Sequence, residues 1–247
     1  MNKSGNIKQG KSTLYKRAAW ILVPLIAFGG LYYPKLGLLV ILIMTALLVL
    51  GLFNGKYWCG NLCPHGCLFD EVIEKVSCKR RIPDIFRSPY LVWGFFAYFM
   101  LMFVYRFTGA FSYWGNPEFA DRLGLVFVRQ YLLWPTLGGI VLGMLISPRT
   151  WCMFCPMGTI QRIMYKLGRI IGINRTTVSR VTISDENKCL HCGACSQACP
   201  VGLEPYNNWA DGQFRDENCI KCGACINKCP PQILSLEQEI PIERGDE

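Results

Sequence analysis

Eight cysteines near the carboxyl end carry the clearest chemical signal in the sequence. They form two runs with the spacing C-x2-C-x2-C-x3-C-P, and the second run begins thirty residues after the first. The runs are Cys189, Cys192, Cys195 and Cys199, and then Cys219, Cys222, Cys225 and Cys229. Three thiolates at the short spacing ligate one 4Fe–4S cube, and the fourth cysteine ligates the other cube. The spacing therefore predicts two 4Fe–4S clusters.

The predicted ligand sets are interleaved between the two runs. Cluster 1 takes Cys189, Cys192, Cys195 and Cys229, and cluster 2 takes Cys219, Cys222, Cys225 and Cys199. Zinc is the alternative metal, but zinc sites prefer two well-separated C-x2-C pairs that close one tetrahedron. The cysteines thus predict one-electron transfer in a reducing compartment.

Four further cysteines belong to an internal repeat in the apolar part of the chain. Residues 56–66 read KYWCGNLCPHG and residues 149–158 read RTWCMFCPMG, so each segment has a basic residue, Trp-Cys, and then Cys-Pro-x-Gly. The cysteines are Cys59, Cys63, Cys152 and Cys155. If the two segments meet, these thiolates suffice for a third Fe–S cluster, with Cys67 as an alternative ligand. A thiol–disulfide relay and inert structural cysteines are the competing interpretations.

The elements that must position these cysteines are apolar. Hydrophobic residues make up 51% of the 247 residues and charged residues 17%, a balance too apolar for a soluble protein. Four stretches approach the length that spans a bilayer. They are Ala18–Tyr33, Leu36–Phe53, Tyr90–Phe107 and Tyr131–Ser147. A turn-like sequence at residues 33–37 separates the first two, so we predict two helical hairpins.

The distribution of basic residues predicts the orientation of the spans. Lysine and arginine are concentrated before the first span, between the second and third, and after the fourth. The positive-inside rule then places both termini and the carboxy-terminal cysteine runs in the cytoplasm of a bacterial-type cell, with membrane lipid around the spans. This topology explains the net charge of +9, and no other feature points to nucleic acid. Because no small-x-small cleavage site precedes the second span, we expect the first span to be retained.

The predicted organisation has four parts. Residues 1–17 form a basic cytoplasmic tail, 18–178 the membrane domain, 179–237 the two-cluster domain and 238–247 an acidic tail. The expected fold class is a membrane all-α domain with four transmembrane helices in two pseudo-symmetric hairpins, followed by a small α+β domain of the bacterial 2×4Fe–4S type. Each Cys-Pro motif leads into an amphipathic helix, which lies in the membrane interface or packs on the two-cluster domain.

The combined motifs resemble the polytopic membrane ferredoxins of the NapH/NosR type. The resemblance covers about residues 18–232, and its most specific part is the motif Trp58-Cys59-x3-Cys63-Pro64-x-Gly66 after a hairpin. It implies four or more transmembrane helices and a carboxy-terminal double ferredoxin. It also implies electron transfer between the quinone pool, cytoplasmic donors and a partner redox enzyme.

This sequence departs from that family pattern in two respects. The second motif, Cys152-x2-Cys155, is one residue shorter than the family spacing, and Cys67 and Cys78 are additional. We also expect no extracytoplasmic flavin-binding domain of the kind that full NosR-like regulators carry ahead of the first helix.

Two histidines are present, and neither lies in a predicted span, so haem ligation across helices is not expected. His65 is a candidate proton acceptor for a quinol or a capping residue, and His191 lies in a cluster loop. The sequence shows no nucleophile–base pair, phosphate loop or nucleotide fingerprint. It therefore favours an electron-transfer component over a stand-alone enzyme.

We expect a membrane-anchored protein that passes single electrons between the quinone pool, or a membrane partner, and a redox enzyme or reductase. Two alternatives stay open. One is a redox sensor or maturation factor for a partner reductase, and the other is a quinol-oxidising subunit with its own quinone site.

Overall fold

The computed structural model describes residues 18–174, 177–207 and 209–239. The chain folds into a helical domain, followed by a small domain built around a four-stranded sheet. The basic segment 1–17 and residues 240–247 of the expected acidic tail lie outside the described residues.

Three helices are long and apolar enough to cross a membrane. They are α2 (Pro34–Asn54), α5 (Pro89–Phe111) and α6 (Phe119–Leu145), and a shorter apolar helix, α1 (Leu22–Tyr32), precedes them. Tyr33 breaks the helical path between α1 and α2, because its backbone is not helical (φ −122°, ψ 84°) and Pro34 then starts the next helix. At 1.5 Å per residue α1 is about 17 Å long, short of a bilayer core of about 30 Å. Within the described residues, three of the four predicted spans therefore have the length of a transmembrane helix.

The last of these helices begins at Phe119, whereas the sequence predicts a span from Tyr131 and an outer loop before it. The difference arises because the first part of α6 is amphipathic. Its charged side chains lie on one face, where Arg122 pairs with Glu118 at 3.2 Å, while Phe127 and Val128 are buried on the other. The mean hydropathy over such a helix is low, because charged and apolar residues alternate at helical spacing. A search for apolar stretches therefore does not detect it.

Helices α2 and α6 cross at very close range through two glycines. A Cβ atom at Gly37 would overlap the carbonyl oxygen of Gly124, and a Cβ atom at Gly124 would overlap the carbonyl oxygen of Pro34. Small residues let membrane helices approach until their backbones touch. This crossing fixes the start of the first long helix against the start of the last.

A short helix carries each Trp-Cys pair, and a second helix follows each Cys-Pro. The first repeat has α3 (Tyr57–Asn61) and α4 (Pro64–Glu71), and the second has α7 (Trp151–Phe154) and α8 (Pro156–Ile171). The apolar pattern after Pro64 predicts a longer helix, but α4 ends at Glu71 and continues as a 3-10 turn, Ile73–Lys75. Helix α8 is amphipathic as predicted and packs against α2, where a Cβ at Gly51 would lie 3.3 Å from the Met164 side chain.

The small domain has the strand order β2-β3-β1-β4, with antiparallel neighbours throughout. Its strands are β1 (Ser179–Ile183), β2 (Trp209–Ala210), β3 (Gln213–Phe214) and β4 (Leu234–Gln238). The pair β1–β4 runs in register from Ser179 opposite Gln238 to Ile183 opposite Leu234. Two short helices, α9 (Ala194–Gln197) and α10 (Ala224–Lys228), complete the domain. The sheet with two helices agrees with the predicted small α+β domain.

An ion cluster joins this domain to helix α8. The carboxylate of Glu239 is 7% exposed and lies within 3.8 Å of three guanidinium groups, those of Arg169, Arg180 and Arg215. Tyr165 on α8 donates a further hydrogen bond to it at 3.2 Å. Residues 238 and 239, which the sequence assigns to an acidic tail, are thus part of the sheet domain.

The glycine crossing makes a prediction about stability. We expect Gly124→Ala to lower the thermal midpoint of the detergent-solubilised protein, because the new methyl group must displace the Pro34 backbone. The matched control is Gly109→Ala on α5, where a Cβ meets no atom within 4 Å. That control should keep or raise the midpoint, because alanine favours a helix over glycine by about 1 kcal/mol. Equal midpoints for the two variants would contradict the close crossing.

Candidate metal centres

The eight cysteines of the sheet domain line two separate cavities. One cavity is lined by Cys189, Cys192, Cys195 and Cys229, and the other by Cys199, Cys219, Cys222 and Cys225. The fourth cysteine of each run therefore lies at the cavity of the other run, which is where the interleaved ligand sets require it. The folded chain thus brings each predicted set together.

The donor chemistry of these cavities fits a cluster better than a single ion. Four cysteine thiols surround each cavity, and thiolates bind a four-iron cube at separate corners. Burial raises the pKa of Cys225 to about 12 and that of Cys219 to about 11. Because ligation requires thiolates, binding of the metal must displace these protons.

Backbone geometry prepares both cavities. His191 and Lys221 lie in the left-handed region with φ of 47° and 54°, and the glycines two residues later also have positive φ. The turns aim backbone amides at the sulfurs. At Cys219, for example, the amide of Lys221 opposes the rise in pKa that burial causes. After the first run, the amides of Val201, Gly202 and Leu203 do the same at Cys199. Amide hydrogen bonds of this kind tune the potential of an Fe–S cluster.

The four cysteines of the internal repeat line one shared apolar cavity of about 200 Å³ inside the helical domain. Cys59 lies on α3 and Cys152 on α7, while Cys63 and Cys155 directly precede α4 and α8. The two segments are 93 positions apart, from Cys59 to Cys152, and the fold joins them at one place. Cys67 is buried within α4 and is not among the lining residues, and Cys78 is exposed.

Equivalent positions of the two repeats take equivalent places around this cavity. The tryptophan before the first cysteine lines it in both repeats, as Trp58 and Trp151. The residue after Cys-Pro lines it in both, as His65 and Met157.

Each repeat also places its glycine beside the basic residue of the other repeat. A Cβ at Gly66 would lie 2.7 Å from Arg149 Nη1, and a Cβ at Gly158 would lie 3.9 Å from Lys56 Cε. The two segments are therefore packed crosswise.

Arg149 links the two segments through one buried guanidinium. Its Nε and Nη2 atoms donate to the carboxylate of Asp70 at 2.8 and 2.6 Å. Its Nη1 atom donates to the Cys59 carbonyl oxygen at 2.7 Å and lies 3.8 Å from the Cys152 sulfur. The arginine is 2% exposed, and a bidentate pair of this kind is both strong and geometrically specific. The sequence places Asp70 on the polar side of an amphipathic helix, so this pairing was missed.

Lys56 is the second buried cation, and it faces the sheet domain. It is 4% exposed, donates to Asn218 Oδ1 at 3.1 Å, and forms no ion pair with a described carboxylate. Burial, with Arg162 nearby, lowers the pKa of Lys56 to about 8, and the proximity of Cys59 and Cys152 opposes that shift. Burial raises the pKa of Cys63 to about 12 and that of Cys155 to about 11. Two buried cations beside four thiols favour a ligand that carries negative charge once bound.

His65 is buried at the cavity and is therefore not a solvated histidine. Its Nε2 atom lies 2.9 Å from the Thr136 hydroxyl, which itself donates to the Tyr131 carbonyl oxygen at 2.8 Å. Since that hydroxyl has one hydrogen, Nε2 must be the donor. Burial lowers the pKa of His65 to about 3, so the ring is neutral near pH 7. The other histidine, His191, is exposed in its cluster loop.

The wall that carries Cys59 also contacts the second cluster loop. A Cβ at Gly60 would overlap the carbonyl oxygen of Ile220, so the two backbones touch. Asn61 donates to the Lys221 carbonyl oxygen at 3.2 Å, and Lys221 Nζ donates to the Asn54 carbonyl oxygen at 2.9 Å. In the sequence, the only signals of this contact are Gly60, Asn54 and Asn61, which lie beside apolar segments.

Comparison with known proteins supports the iron–sulfur interpretation of both domains. A family model described as a 4Fe–4S dicluster domain matches residues 182–230. A second model, described as a 4Fe–4S binding domain, matches twice, at residues 36–83 and 134–174. The chain carries 4Fe–4S ferredoxin-type domains. The second model falls on both copies of the repeat, which supports the internal repeat seen in the sequence.

Two curated relatives are similar at low identity. An uncharacterized protein of Methanocaldococcus jannaschii is 26% identical over 161 residues, which are 64% of this chain and 56% of the relative. The methylamine utilization ferredoxin-type protein MauN of Paracoccus denitrificans is 25% identical over 167 residues, 64% of this chain and 54% of the relative. The chain thus matches about half the length of these relatives. No solved structure matches it. These similarities support a ferredoxin-type protein, and its placement in the NapH/NosR type remains a prediction.

The buried ion pair makes a second prediction. We expect Arg149→Gln to destabilise the helical domain by about 2 kcal/mol, because it leaves Asp70 and the Cys59 carbonyl without their shared partner. Denaturant titration in detergent measures this change. The matched control is Arg122→Gln, whose pair with Glu118 is exposed and should contribute less than about 1 kcal/mol. If the two variants lose the same stability, Arg149 does not hold the segments together.

Proposed function

We propose that this protein is a membrane-anchored electron-transfer protein with three Fe–S centres. Single electrons enter from the quinone pool or a membrane partner, pass the centre at the repeat cysteines, and reach the two clusters of the sheet domain. A redox enzyme then receives them. The observation that supports this proposal most is that one cavity, beside the loop of cluster 2, is lined by Cys59, Cys63, Cys152 and Cys155.

The membrane arrangement in this proposal has four spans in two pseudo-symmetric hairpins. Helices α2, α5 and α6 supply three spans by length and composition. In this proposal the fourth is the predicted span Ala18–Tyr33, which contains α1. The crosswise packing of Gly66 on Arg149 and of Gly158 near Lys56 supports a pseudo-twofold relation between the halves. The basic residues outside the helices favour cytoplasmic termini and a cytoplasmic sheet domain.

The third centre is proposed as a 4Fe–4S cluster with two thiolates from each repeat. Its cavity is apolar and the thiols are buried, while Arg149 and Lys56 supply positive charge for an anionic cluster. Amides in the first turns of α4 and α8, those of Gly66 and Gly158, counteract the high pKa of Cys63 and Cys155. Such amides at a helix start favour the thiolate form. When bound, the cluster supplies reversible one-electron chemistry.

The quinone pool is the proposed donor because the same cavity continues between the membrane helices. Beyond the cysteines it is lined by apolar side chains of α2, α5 and α6, with Gln130 and His65 as polar groups. Small-molecule sites are typically apolar with a few polar groups that orient the ligand. The test is to add a quinol to the purified protein and to measure reduction of the clusters. If the quinol does not reduce them, a membrane protein partner becomes the favoured donor.

Iron and acid-labile sulfide per chain test the third centre. Anaerobically purified wild-type protein should hold about twelve irons, and Cys59→Ser/Cys152→Ser about eight, as three and two cubes require. Cys67→Ser and Cys78→Ser are matched controls that should keep about twelve irons. About eight irons in every protein would mean that the repeat cysteines bind no cluster and serve thiol chemistry or structure instead. Loss of iron only in Cys67→Ser would make Cys67 the ligand.

We propose cluster 2 as the first acceptor in the sheet domain, and the contact between Gly60 and Ile220 supports this order. We expect Gly60→Ala to keep the wild-type iron content but to slow quinol-driven reduction of the sheet-domain clusters, since the methyl group forces the two loops apart. Stopped-flow absorbance measures the rate, and Gly109→Ala serves as the control. Direct reduction by dithionite should be unaffected. An unchanged quinol-driven rate would exclude this contact from the electron path.

A further inference from the structure

Three arginines converge on one cavity between helices α5 and α6, and this cavity is separate from those of the cysteines. Its volume is about 240 Å³, and it is lined by Arg106, Arg122 and Arg129. The other lining residues are small or apolar, and none of the described residues around the cavity is acidic. The cavity therefore combines positive charge with an apolar wall.

The cavity lies at the end of these helices that is remote from the sheet domain. Helix α5 starts beside that domain, because Arg87, just before the helix, donates at 2.8 Å to the carbonyl oxygens of Val201 and Gly202. At about 1.5 Å per residue, Arg106 lies about 25 Å beyond the start of α5. If a bilayer core of about 30 Å begins with α5, Arg106 is inside the core and close to its far edge.

The protein supplies few partners for these three cations. Arg122 pairs with the exposed Glu118 at 3.2 Å. Arg106 donates to Gln130 Oε1 at 3.0 Å, but an amide carries no charge. Arg129 precedes Gln130 on α6 and therefore lies at the same depth. It is exposed and has no hydrogen bond or ion pair to any residue that the structure describes. Two guanidinium groups at membrane depth thus lack a described counter-charge.

A phosphate group on an amphiphile matches both properties of this cavity. Arginine within a membrane span is costly and is almost always paired. Its planar guanidinium binds phosphate through two parallel hydrogen bonds. Topology does not explain these arginines, since the predicted orientation places them toward the outer face, where basic residues are sparse. A membrane lipid places its phosphate at the edge of the core and its acyl chains beside the apolar wall.

We infer that the cavity at Arg106, Arg122 and Arg129 binds the phosphate of an anionic membrane lipid. Because Glu118 neutralises only Arg122, positive charge remains in excess. That excess favours a headgroup such as phosphatidylglycerol over phosphatidylcholine, whose headgroup carries its own cation. The bound lipid joins α5 to α6 at the end opposite the sheet domain, without any covalent step. The inference goes beyond the proposed function and uses only its membrane anchoring.

The test uses full-length protein in a nonionic detergent, freed of lipid, with dioctanoyl phosphatidylglycerol as the probe. Native mass spectrometry measures the dissociation constant, because each bound lipid adds a known mass. We expect Arg129→Gln to bind this lipid about tenfold more weakly, since it loses a charged hydrogen-bonding group. Arg129→Lys should fall between the two, because it keeps the charge without the planar fork. The matched control is Arg81→Gln, an exposed arginine beside Glu204 of the sheet domain, which should bind as wild type does.

Two further probes separate the possible sources of the anion. Dioctanoyl phosphatidylcholine should bind more weakly than phosphatidylglycerol, and inorganic phosphate at the same concentration should not displace the bound lipid. Displacement by inorganic phosphate would overturn the lipid assignment in favour of a free anion. Equal affinity for the two lipids would overturn the preference for an anionic headgroup.

Equal affinity of Arg129→Gln and Arg81→Gln for phosphatidylglycerol would overturn the site itself. Because Arg129 is exposed, both of its variants should keep the wild-type thermal midpoint and iron content. Failure of this inference is separable from failure of the proposed function, since iron content reports on the Fe–S centres and lipid affinity reports on this cavity alone.

Discussion

The buried guanidinium of Arg149 is the interaction on which the rest of the structure depends. It binds Asp70 with two hydrogen bonds and holds the Cys59 carbonyl oxygen with a third, so one side chain ties the second repeat to both helices of the first. This tie adds to the crosswise packing at Gly66 and Gly158 that brings four thiols from segments far apart in sequence to one place. The same guanidinium lies 3.8 Å from the Cys152 sulfur, so positive charge stands beside one of the four cysteines. One residue therefore serves the packing and the electrostatics of the proposed third centre.

The position of the sheet domain follows from contacts that surround this meeting place. Gly60 allows the backbone of the second cluster loop to touch α3, and Glu239 fixes the far side of the sheet to α8 through arginines. The fold thus sets a short distance between the repeat cysteines and the loop of cluster 2, while it leaves the loop of cluster 1 exposed at Leu190. The two equivalent loops thus differ in their surroundings, since α3 covers one and the other is exposed.

The sequence predicted the parts of this molecule whose chemistry is local. Cysteine spacing predicted two interleaved sets, and each set lines one cavity of the fold; their ligation of clusters stays a prediction. The break at Tyr33 followed from the proline after it. The start of the last membrane helix was missed, because amphipathic segments look polar in a hydropathy average. The pairing of Arg149 with Asp70 was also out of reach, since a charge on a helix face is ordinarily solvated and only the tertiary fold reveals a buried partner. The same holds for Glu239, which looked like the start of a charged tail.

The central claim is that both repeats ligate one cluster. Mössbauer spectroscopy of ⁵⁷Fe-labelled protein tests it most directly when wild type is compared with two single variants, Cys63→Ser from the first repeat and Cys155→Ser from the second. The account predicts that each variant loses or alters the same third of the iron signal, because a bridging cluster needs both thiolates, while the other two thirds stay unchanged. A signal that depends on one variant but not on the other, or on neither, would contradict it.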